Sequence, residues 1–491
     1  MHYQYISRTV RNEDGLNRIV TSRTWCVNQG TVRNPMLTID WHVRPADLWP
    51  AIGRMWRLSA LKLRSLRRTF RPGQGAPVFT VRGQYASRGW TDWTEGFQFG
   101  SELLQFDATG EKKFLHAARE QILAHMAPHL THFGVHDHGF NIASTFGQLL
   151  RLMNEKRIPE NPWERRTYEL ALKVSGAVQA RRWTNLPDGG YIYSFNGPHS
   201  LFIDTIRSLR VLALSHQLGG VLAEENDRRI SLLERLVIHA RTTAKFNICG
   251  TDGPGVYARR GAVRQEVIFN INDGAFRCPS SQQGFSPFTT WTRGLAWAMC
   301  GFAEQLEFLR AIPAEALRRC GGKSAVTSFM LQAARATCDF YLENTPTDGV
   351  PYWDTGAPEL YRLGQYLDRP AEPFNPYEPV DSSAAAIAVQ GLLRLGRYLD
   401  GTLGRRYFQA ALTILRTLLN EPYLSVERQH QGLLLHSVYH RPNGWDYIPP
   451  GRRVPCGEAS MWGDYHLREA AWCVQRLAQG QPDLMFWRKP T

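Results

Sequence analysis

The sequence lacks the features that would tie the chain to a membrane, an export route or a disulfide framework. No apolar run is long enough to span a bilayer, and residues 1–8 contain no apolar core of a signal peptide. None of the eight cysteines forms a Cys-x-x-Cys pair, and Cys300, Cys338 and Cys473 stand in apolar helical patterns, as buried free thiols do. We therefore expect a soluble, cytoplasmic protein.

The strict alternation of apolar and polar residues that marks strands is also scarce, and residues 77–81 are the best short candidate. Apolar residues instead recur at helical spacing in about twelve segments. These are residues 46–70, 96–106, 111–128, 140–153, 162–180, 200–218, 227–246, 288–310, 325–344, 382–399, 405–419 and 465–478. Helical hairpins repeated about six times form either an open solenoid or a closed toroid. Clusters of Trp, Gly, His and Asp just before the helices favour the closed barrel.

Basic residues outnumber acidic ones, which gives the 491-residue chain a formal net charge of +14. Such a charge favours anionic partners, among them nucleic acids, acidic glycans and membrane surfaces. The densest basic segment, residues 54–71, interleaves arginines with apolar residues and is typical of an amphipathic helix with a solvated basic face. No zinc-finger spacing or aromatic RNA-binding signature occurs, so we expect neither a nucleic-acid nor a membrane partner.

Two acidic residues stand apart from the polar stretches that carry most of the charges. Asp137 lies between two histidines and Asp204 ends the apolar run 201–204. A carboxyl group among apolar and aromatic residues has a raised pKa and exchanges protons near neutral pH. The two residues therefore predict acid/base chemistry.

Each acid also has a purely structural interpretation. Asp204 could pair with Arg207 one helical turn away, and Asp137 could cap a helix that begins near Gly139. The His-Asp-His triplet around Asp137 could bind a metal, but no third histidine or acid stands at a recognised spacing. We expect no metal and no cofactor.

Seven short blocks over roughly residues 85–475 resemble those of the unsaturated glucuronyl hydrolases, glycoside hydrolase family 88, and occur in that family's order. The blocks are Trp93-Thr94-Glu95-Gly96-Phe97, His136-Asp137-His138-Gly139-Phe140, Ile203-Asp204-Thr205, Gln283-Gly284-Phe285, Trp291-Thr292-Arg293-Gly294-Leu295-Ala296-Trp297, Asp381-Ser382-Ser383-Ala384 and Trp462-Gly463-Asp464-Tyr465. Any one of these blocks is a weak signal, whereas seven in register are a specific one.

This resemblance implies an all-α (α/α)6 barrel over residues 81–491 with its site at the mouth, and an N-terminal extension, residues 1–80, that packs on the barrel. It also implies an unusual reaction. Lyases leave sugars with a C4=C5 double bond, and the family hydrates that bond, after which the hemiketal opens and releases the remaining saccharide. The partner would be an oligosaccharide with an unsaturated uronic acid at its non-reducing end.

The family pattern also implies roles for individual residues. Asp204 would deliver the proton and then activate water, and Asp137 would orient the ring and stabilise developing positive charge. Gln283 and Arg293 would anchor the uronate carboxylate and hydroxyls, a task that suits the forked donors of arginine, although Arg293 could also be a packed structural residue. The remaining predicted substrate contacts, two stacking faces and one hydrogen bond, are Trp93, Trp297 and His136.

Three other functions stay open at the level of the sequence. An unsaturated rhamnogalacturonyl hydrolase shares the barrel and the hydration, although the Trp-x-Arg-Gly-x-Ala-Trp block and the two acids favour the glucuronyl type. An inverting glycosidase would use two acids roughly 6.5–9.5 Å apart with a water between them. A non-catalytic glycan-binding scaffold would use neither acid for chemistry. The source polysaccharide is equally open among glycosaminoglycans, gellan, xanthan, ulvan and pectin.

Overall fold

The computed structural model describes residues 6–11, 17–22, 37–70, 75–89, 92–250 and 259–487. The chain forms two compact units, residues 1–35 and residues 36–491. In the first unit, strands β1 (Ile6–Arg11) and β2 (Asn17–Ser22) pair antiparallel, with Ile6 opposite Ser22. All helices of the described residues belong to the second unit.

Each of the twelve segments predicted as helical contains a helix. The helices are α1 (Trp49–Thr69), α2 (Glu95–Thr109), α3 (Lys112–His125), α4 (Ala127–Leu130), α5 (His138–Ile142), α6 (Gln148–Asn154), α7 (Pro162–Arg181), α8 (Thr205–Ser208), α9 (Arg210–Gln217), α10 (Leu232–Phe246), α11 (Thr292–Arg310), α12 (Lys323–Glu343), α13 (Ser382–Tyr398), α14 (Gly401–Leu418) and α15 (Met461–Ala478). A π-helical turn, Ala143–Gly147, joins α5 to α6. No helix within the described ranges is both long and apolar enough to cross a membrane.

Short strands lie in the loops between these helices. They are β3 (Phe79–Val81), β4 (Gln84–Ala86), β5 (Trp183–Leu186), β6 (Gly189–Ile192), β7 (Ser200–Phe202), β8 (Val221–Ala223), β9 (Arg229–Ser231), β10 (Glu266–Phe269) and β11 (Phe276–Ser280). The predicted strand at residues 77–81 thus contains β3. The segment 200–218 begins as β7 rather than as a helix, because its first residues pair with β10.

Six helical segments form an inner ring in which each contacts the next. The ring runs from α2 through α5–α6, α8–α9, α11, α13 and α15 and back to α2, and the outer helices α1, α3, α7, α10, α12 and α14 pack against it. Nearly every residue of α11 and α13 is buried, whereas α14 buries one face and exposes the other. A closed ring of six helical hairpins is the arrangement that an (α/α)6 barrel requires.

The predicted N-terminal extension, residues 1–80, spans parts of both compact units. Its helix α1 packs against the first and last inner helices: Trp56 Nε1 donates to Gln475 Oε1 at 2.7 Å, and Arg67 pairs with Glu102 at 2.7 Å. The second unit begins at residue 36, and the division at residue 80 stays a prediction.

Candidate active site

A cavity of ≈ 620 Å³ opens at the end of the barrel where the inner helices begin. Trp93 precedes α2, Asp137 precedes α5, Asp204 precedes α8 and Trp291 precedes α11. The peptide dipoles of a helix leave partial positive charge at its amino end, so this end of the barrel favours an anionic ligand. The described residues that line the cavity are Trp93, His132, Gly134, Val135, His136, Asp137, Phe140, Phe195, Asn196, Asp204, Gln282, Gln283, Trp291, Arg293, Trp297, Tyr439, His440, Asn443 and Trp445.

All seven site residues predicted from the sequence line this one cavity. They are Trp93, His136, Asp137, Asp204, Gln283, Arg293 and Trp297. Trp90 and Thr91, which precede the first block in the sequence, lie outside the described residues. Closure of the ring therefore brings together side chains that are up to about two hundred positions apart in the chain.

Asp204 lies at the junction between β7 and α8, with the adjoining strand, Ile203 and the first turn of α8 buried. It is 9% exposed, and its Oδ1 has no hydrogen-bond partner among the described residues. Burial raises the pKa of Asp204 to about 7, against a smaller lowering by the positive charge of Arg293. Arg207 pairs instead with Glu304 and Glu469, so the predicted alternative of an Asp204–Arg207 pair is not what the structure shows.

Asp137 occupies the position before the first residue of α5 but makes no side-chain capping hydrogen bond, so its carboxyl group does not serve as a helix cap. It is 9% exposed, and its Oδ1 lies 3.6 Å from His136 Nε2. Burial raises the pKa of Asp137 to about 7, helped by the nearby charge of Asp204 and opposed by Arg182. Both carboxyl groups are therefore partly protonated at neutral pH.

His136 is almost fully buried beside Asp137. Its ring stacks on Phe195, with centroids 5.9 Å apart, and meets Phe202 edge-on at 5.6 Å. Burial, reinforced by the charge of Arg182, lowers the pKa of His136 well below its usual value, so the ring is neutral. Its ring lines the cavity, and its Nδ1 is buried without a hydrogen-bond partner among the described residues.

Arg293 lines the cavity, but its guanidinium donates hydrogen bonds to groups of the protein itself. Its guanidinium donates to the carbonyls of Val438 and Tyr439 and to Gln283 Oε1 at 3.0 Å, and it pairs with Asp381 at 3.3 Å. The group is 1% exposed and lies between the rings of two tryptophans, Trp291 and Trp462. Arg293 therefore joins the amino end of α11 to the segment that precedes α15.

The two predicted stacking faces differ in their surroundings. Trp93 is half-buried and stacks on Trp462 with ring centroids 5.1 Å apart. Trp297 is 1% exposed and packs against Phe140 at 4.8 Å and His466 at 5.0 Å. Trp93 thus presents accessible ring surface beside the acids, whereas Trp297 forms part of the floor.

One side of the cavity was not predicted. Tyr439, His440, Asn443 and Trp445 belong to a turn in which His440 accepts a hydrogen bond from the Asn443 backbone and Asp446 accepts from His440. Burial lowers the pKa of His440 to about 4 and raises that of Tyr439 to about 12, so both side chains are neutral. The Arg-Pro-Asn-Gly turn flanked by aromatic residues was the available signal, but a turn sequence does not reveal which surface it meets.

No cluster of three or more His, Cys, Asp and Glu side chains that could hold a metal ion occurs in the part of the chain that the structure describes. His138, the second histidine of the His-Asp-His triplet, bonds Ser175 Oγ at 2.6 Å and the His132 carbonyl at 3.0 Å. Its burial lowers the pKa to about 4. This histidine thus supports the fold next to the site, with both ring nitrogens engaged by the protein.

Known proteins similar to this chain share most of its length. No protein-family model matches it. An unsaturated glucuronyl hydrolase of Formosa agariphila is 26% identical over 391 residues, which cover 79% of this chain and 80% of the relative. An unsaturated glucuronyl hydrolase of Bacillus sp. strain GL1 is 26% identical over 400 residues, covering 79% and 88%. An unsaturated chondroitin disaccharide hydrolase of Streptococcus pyogenes is 24% identical, covering 80% and 83%.

Solved structures of similar proteins show the same fold. The unsaturated glucuronyl hydrolase of Bacillus sp. GL1 superposes with a TM-score of 0.65 at 22% identity, over 90% of this chain and 99% of that one. An unsaturated glucuronyl hydrolase specific for heparin gives a TM-score of 0.65 at 20% identity, over 89% and 99%. The predicted (α/α)6 barrel and the predicted family resemblance are both confirmed.

Proposed function

We propose that this chain, a relative of the unsaturated glucuronyl hydrolases, is a glycoside hydrolase that acts on lyase-generated oligosaccharides. It would release a 4-deoxy-4,5-unsaturated glucuronyl residue from the non-reducing end by hydrating the C4=C5 double bond. The observation that carries the proposal is the pair Asp137 and Asp204. Both carboxyl groups are buried, face one cavity, have a pKa raised to about 7 and form no ion pair with an arginine or lysine of the described residues.

Asp204 is suited to deliver the proton that starts the reaction. With a pKa near 7 it is partly protonated at neutral pH and can give its proton to C4 of the vinyl ether. The positive charge that develops at C5 and the ring oxygen is quenched by water, which loses a proton to the Asp204 carboxylate. The resulting hemiketal opens as its C5–O bond to the ring oxygen breaks, which leaves a ketone at C5 and a hemiacetal at C1. The C1 hemiacetal then releases the remaining saccharide as an alcohol and becomes an aldehyde.

Asp137 would stabilise the charge that forms on the ring while Asp204 cycles between its two states. Because the two carboxyl groups repel each other, proton transfer from one alters the tendency of the other to ionise. A carboxylate in a buried site stabilises a nearby cation strongly, since little water screens it. Neutral His136 lines the cavity next to Asp137, and we assign its Nε2, 3.6 Å from Asp137 Oδ1, to a hydrogen bond with the substrate.

The remaining predicted contacts fit a planar, anionic sugar. Trp93 offers an accessible ring face. Gln283 accepts from Arg293, and its amide nitrogen donates to no acceptor of the described residues, which leaves it for a carboxylate or hydroxyl of the substrate. We assign Arg293 to anchoring the substrate through Gln283, because its own donors meet protein carbonyls, Gln283 and Asp381.

The decisive experiment follows the ultraviolet absorbance of the unsaturated uronate. Purified protein is mixed with unsaturated fragments of glycosaminoglycan, gellan, xanthan, ulvan and pectin, and we expect a loss of absorbance with at least one of them. Asp204→Asn should lower that rate by roughly 10³-fold or more with the fold intact, since a carboxamide cannot cycle a proton. The exposed helix-start residue Asp400, changed to Asn, is the matched control and should keep full activity.

The rival functions give different results in the same assay. An inverting glycosidase would liberate sugars while the absorbance stays, because its water attacks the anomeric carbon and not the double bond. A glycan-binding scaffold would bind fragments without turnover, and Asp204→Asn would leave its behaviour unchanged. An unsaturated rhamnogalacturonyl hydrolase would act on pectin-derived fragments alone. No absorbance loss across the whole panel would refute the proposal.

A cytoplasmic location is part of the same proposal. The cysteines Cys249, Cys278, Cys300, Cys320, Cys338, Cys456 and Cys473 are free thiols. Structural disulfides are typical of exported proteins, so their absence among the described residues supports a reducing compartment. Cell fractionation with an antibody against the native chain tests this, and recovery from the exported fraction would contradict it.

A further inference from the structure

The turn that carries Asp137 is held by side chains that do not line the cavity. The His136 carbonyl accepts a hydrogen bond from Gln179 Nε2 at 3.0 Å. Two residues beyond Asp137, the Gly139 backbone nitrogen donates to Ser208 Oγ at 2.8 Å. The backbone is therefore fixed on both sides of Asp137 by residues of α7 and α8.

Gln179 and Ser208 are also bonded to each other. Gln179 Nε2 lies 3.1 Å from Ser208 Oγ, and the Ser208 hydroxyl lies 3.3 Å from Gln179 Oε1. Both side chains are fully buried, so no water competes for these bonds. The pair joins the outer helix α7 to the inner helix α8 and clasps the Asp137 turn between them.

Ser208 connects this clasp to the second acid. It stands four positions after Asp204, which is about one helical turn, so the two residues share one face of the same short helical segment. The backbones at Gly139 and Ser208 also lie too close together for any side chain at position 139, because a Cβ there would be 2.0 Å from the Ser208 carbonyl oxygen. Gly139 thus lets the Asp137 turn rest directly on the backbone of the segment that begins with Asp204.

We propose that Gln179 and Ser208 are positioning residues that set the separation and orientation of Asp137 relative to Asp204. This inference rests on the proposed function, because it assigns the clasp to the same acid pair. Neither residue touches the substrate. They act by holding the backbone at His136 and Gly139 in one place against α8.

Loosening the clasp should change the chemistry before it changes substrate binding. Small displacements of a reacting group can lower rates by up to about 10²-fold. The charged and titratable groups that face the acids, besides the acids themselves, are His136, Arg182 and Tyr439 near Asp137 and Arg293 near Asp204. Among the described residues, the side chains of these groups make no hydrogen bond to the side chain of Gln179 or Ser208, so a loosened turn should mainly admit water between the two carboxyl groups and lower their pKa values.

The test uses Gln179→Met and Ser208→Ala in the full-length protein. The substrate is a fragment whose ultraviolet absorbance the unmodified protein removes. We expect kcat on this fragment to fall about 10- to 100-fold with little change in KM, and the pH–rate profile to move to lower pH. Backbone hydrogen exchange of residues 136–141 should accelerate in both variants, since the donor at Gly139 and the acceptor at His136 lose their partners.

Two matched controls separate positioning from general loss of stability. Gln390→Met removes an equally buried glutamine of α13 whose Nε2 donates to the His466 carbonyl at 3.1 Å. Ser59→Ala removes a buried serine of α1 that accepts from Arg468 Nε at 2.8 Å. Both should lose stability to a similar extent and keep the pH–rate profile and the exchange of residues 136–141.

The inference fails if the variants at 179 and 208 match these controls in exchange and in pH–rate profile. An unmodified protein that bleaches no fragment would refute the proposed function instead. In that case the exchange of residues 136–141 alone decides whether Gln179 and Ser208 hold the turn, and unchanged exchange overturns the clasp.

Discussion

Two sets of buried ionisable groups lie in the same barrel, and they differ in whether they have a partner of opposite charge. At the amino ends of the inner helices, Asp204 has an oxygen without a hydrogen-bond partner, and no arginine or lysine of the described residues forms an ion pair with it. Deeper in the ring, Arg207 pairs with Glu304 and Glu469, and all three are fully buried. Only three positions separate Asp204 from Arg207 along the chain.

A third buried acid sharpens the contrast. Asp107 of α2 is fully buried and accepts from Arg151 Nη2 at 2.6 Å, Arg157 Nε at 3.1 Å and Trp472 Nε1 at 2.7 Å. The two arginines and the indole hold this carboxylate in place, which suits a structural role. An acid that transfers a proton needs a different site, in which burial raises its pKa and no cation pairs with it.

The largest change in stability should follow the substitution Asp107→Asn. Asp107→Asn leaves two arginines beside a neutral amide in a buried site, which should lower the free energy of unfolding by about 3–5 kcal/mol. Chemical denaturation monitored by circular dichroism measures this. The folded fraction should keep its specific activity. If the variant is as stable as the parent, Asp107 has no structural role and the distinction between structural and catalytic acids is wrong.

Asp204→Asn should affect stability in the other direction. The pKa of Asp204 rises from 3.8 to about 7 on folding, so the folded state holds a proton that the unfolded chain has lost between these values. The stability linked to this group is complete below the unfolded pKa and is lost as the pH rises through about 7. The variant should therefore exceed the parent by roughly 2–4 kcal/mol at pH 8. Unfolding measured across this pH range checks the trend, and a gap that widened toward acid pH would contradict it.

The smallest effect should come from the partner acid. The charge of Asp204 raises the pKa of Asp137, and because electrostatic coupling between two sites is reciprocal, Asp137→Asn should lower the pKa of Asp204 by about one unit or less. In this variant Asp204 should therefore lose its proton at a lower pH, and the pH–rate profile of the residual activity should move to lower pH. His138→Gln is the control, because that ring sits next to Asp137 in sequence but bonds only Ser175 and His132. A profile that moved equally in both variants would mean that the two acids do not sense each other.

Sequence patterns predicted much of this molecule because they report local physics. The apolar spacing of residues 292–310 and 382–398 reflects helices whose faces are covered by neighbours, and both helices are present. The acid inside an apolar run marked Asp204 as a group out of water, and burial does raise its pKa. The family blocks added the rest of the predicted site, and all seven residues line one cavity.

Other properties could not be read from the chain because they depend on contacts between distant segments. The partners of Arg293 are the carbonyls at 438 and 439, about 145 positions away. The cavity wall formed by Tyr439 and Trp445 depends on how the segment before α15 folds over α11. Position 200 pairs with β10, which no local pattern indicated.

The sequence by itself determined that this chain is helical, that its helices pair into hairpins, and that two acids are kept among apolar residues. Those properties follow from periodicity and from neighbours within a few positions. The tertiary structure decided which buried charges meet a counter-charge. Because the inner helices close into a ring, Arg207 pairs with Glu304 and Glu469, and within the described ranges Asp204 has no ion-pair partner. Whether a buried acid is structural or reactive thus depends on which groups the closed ring brings within reach.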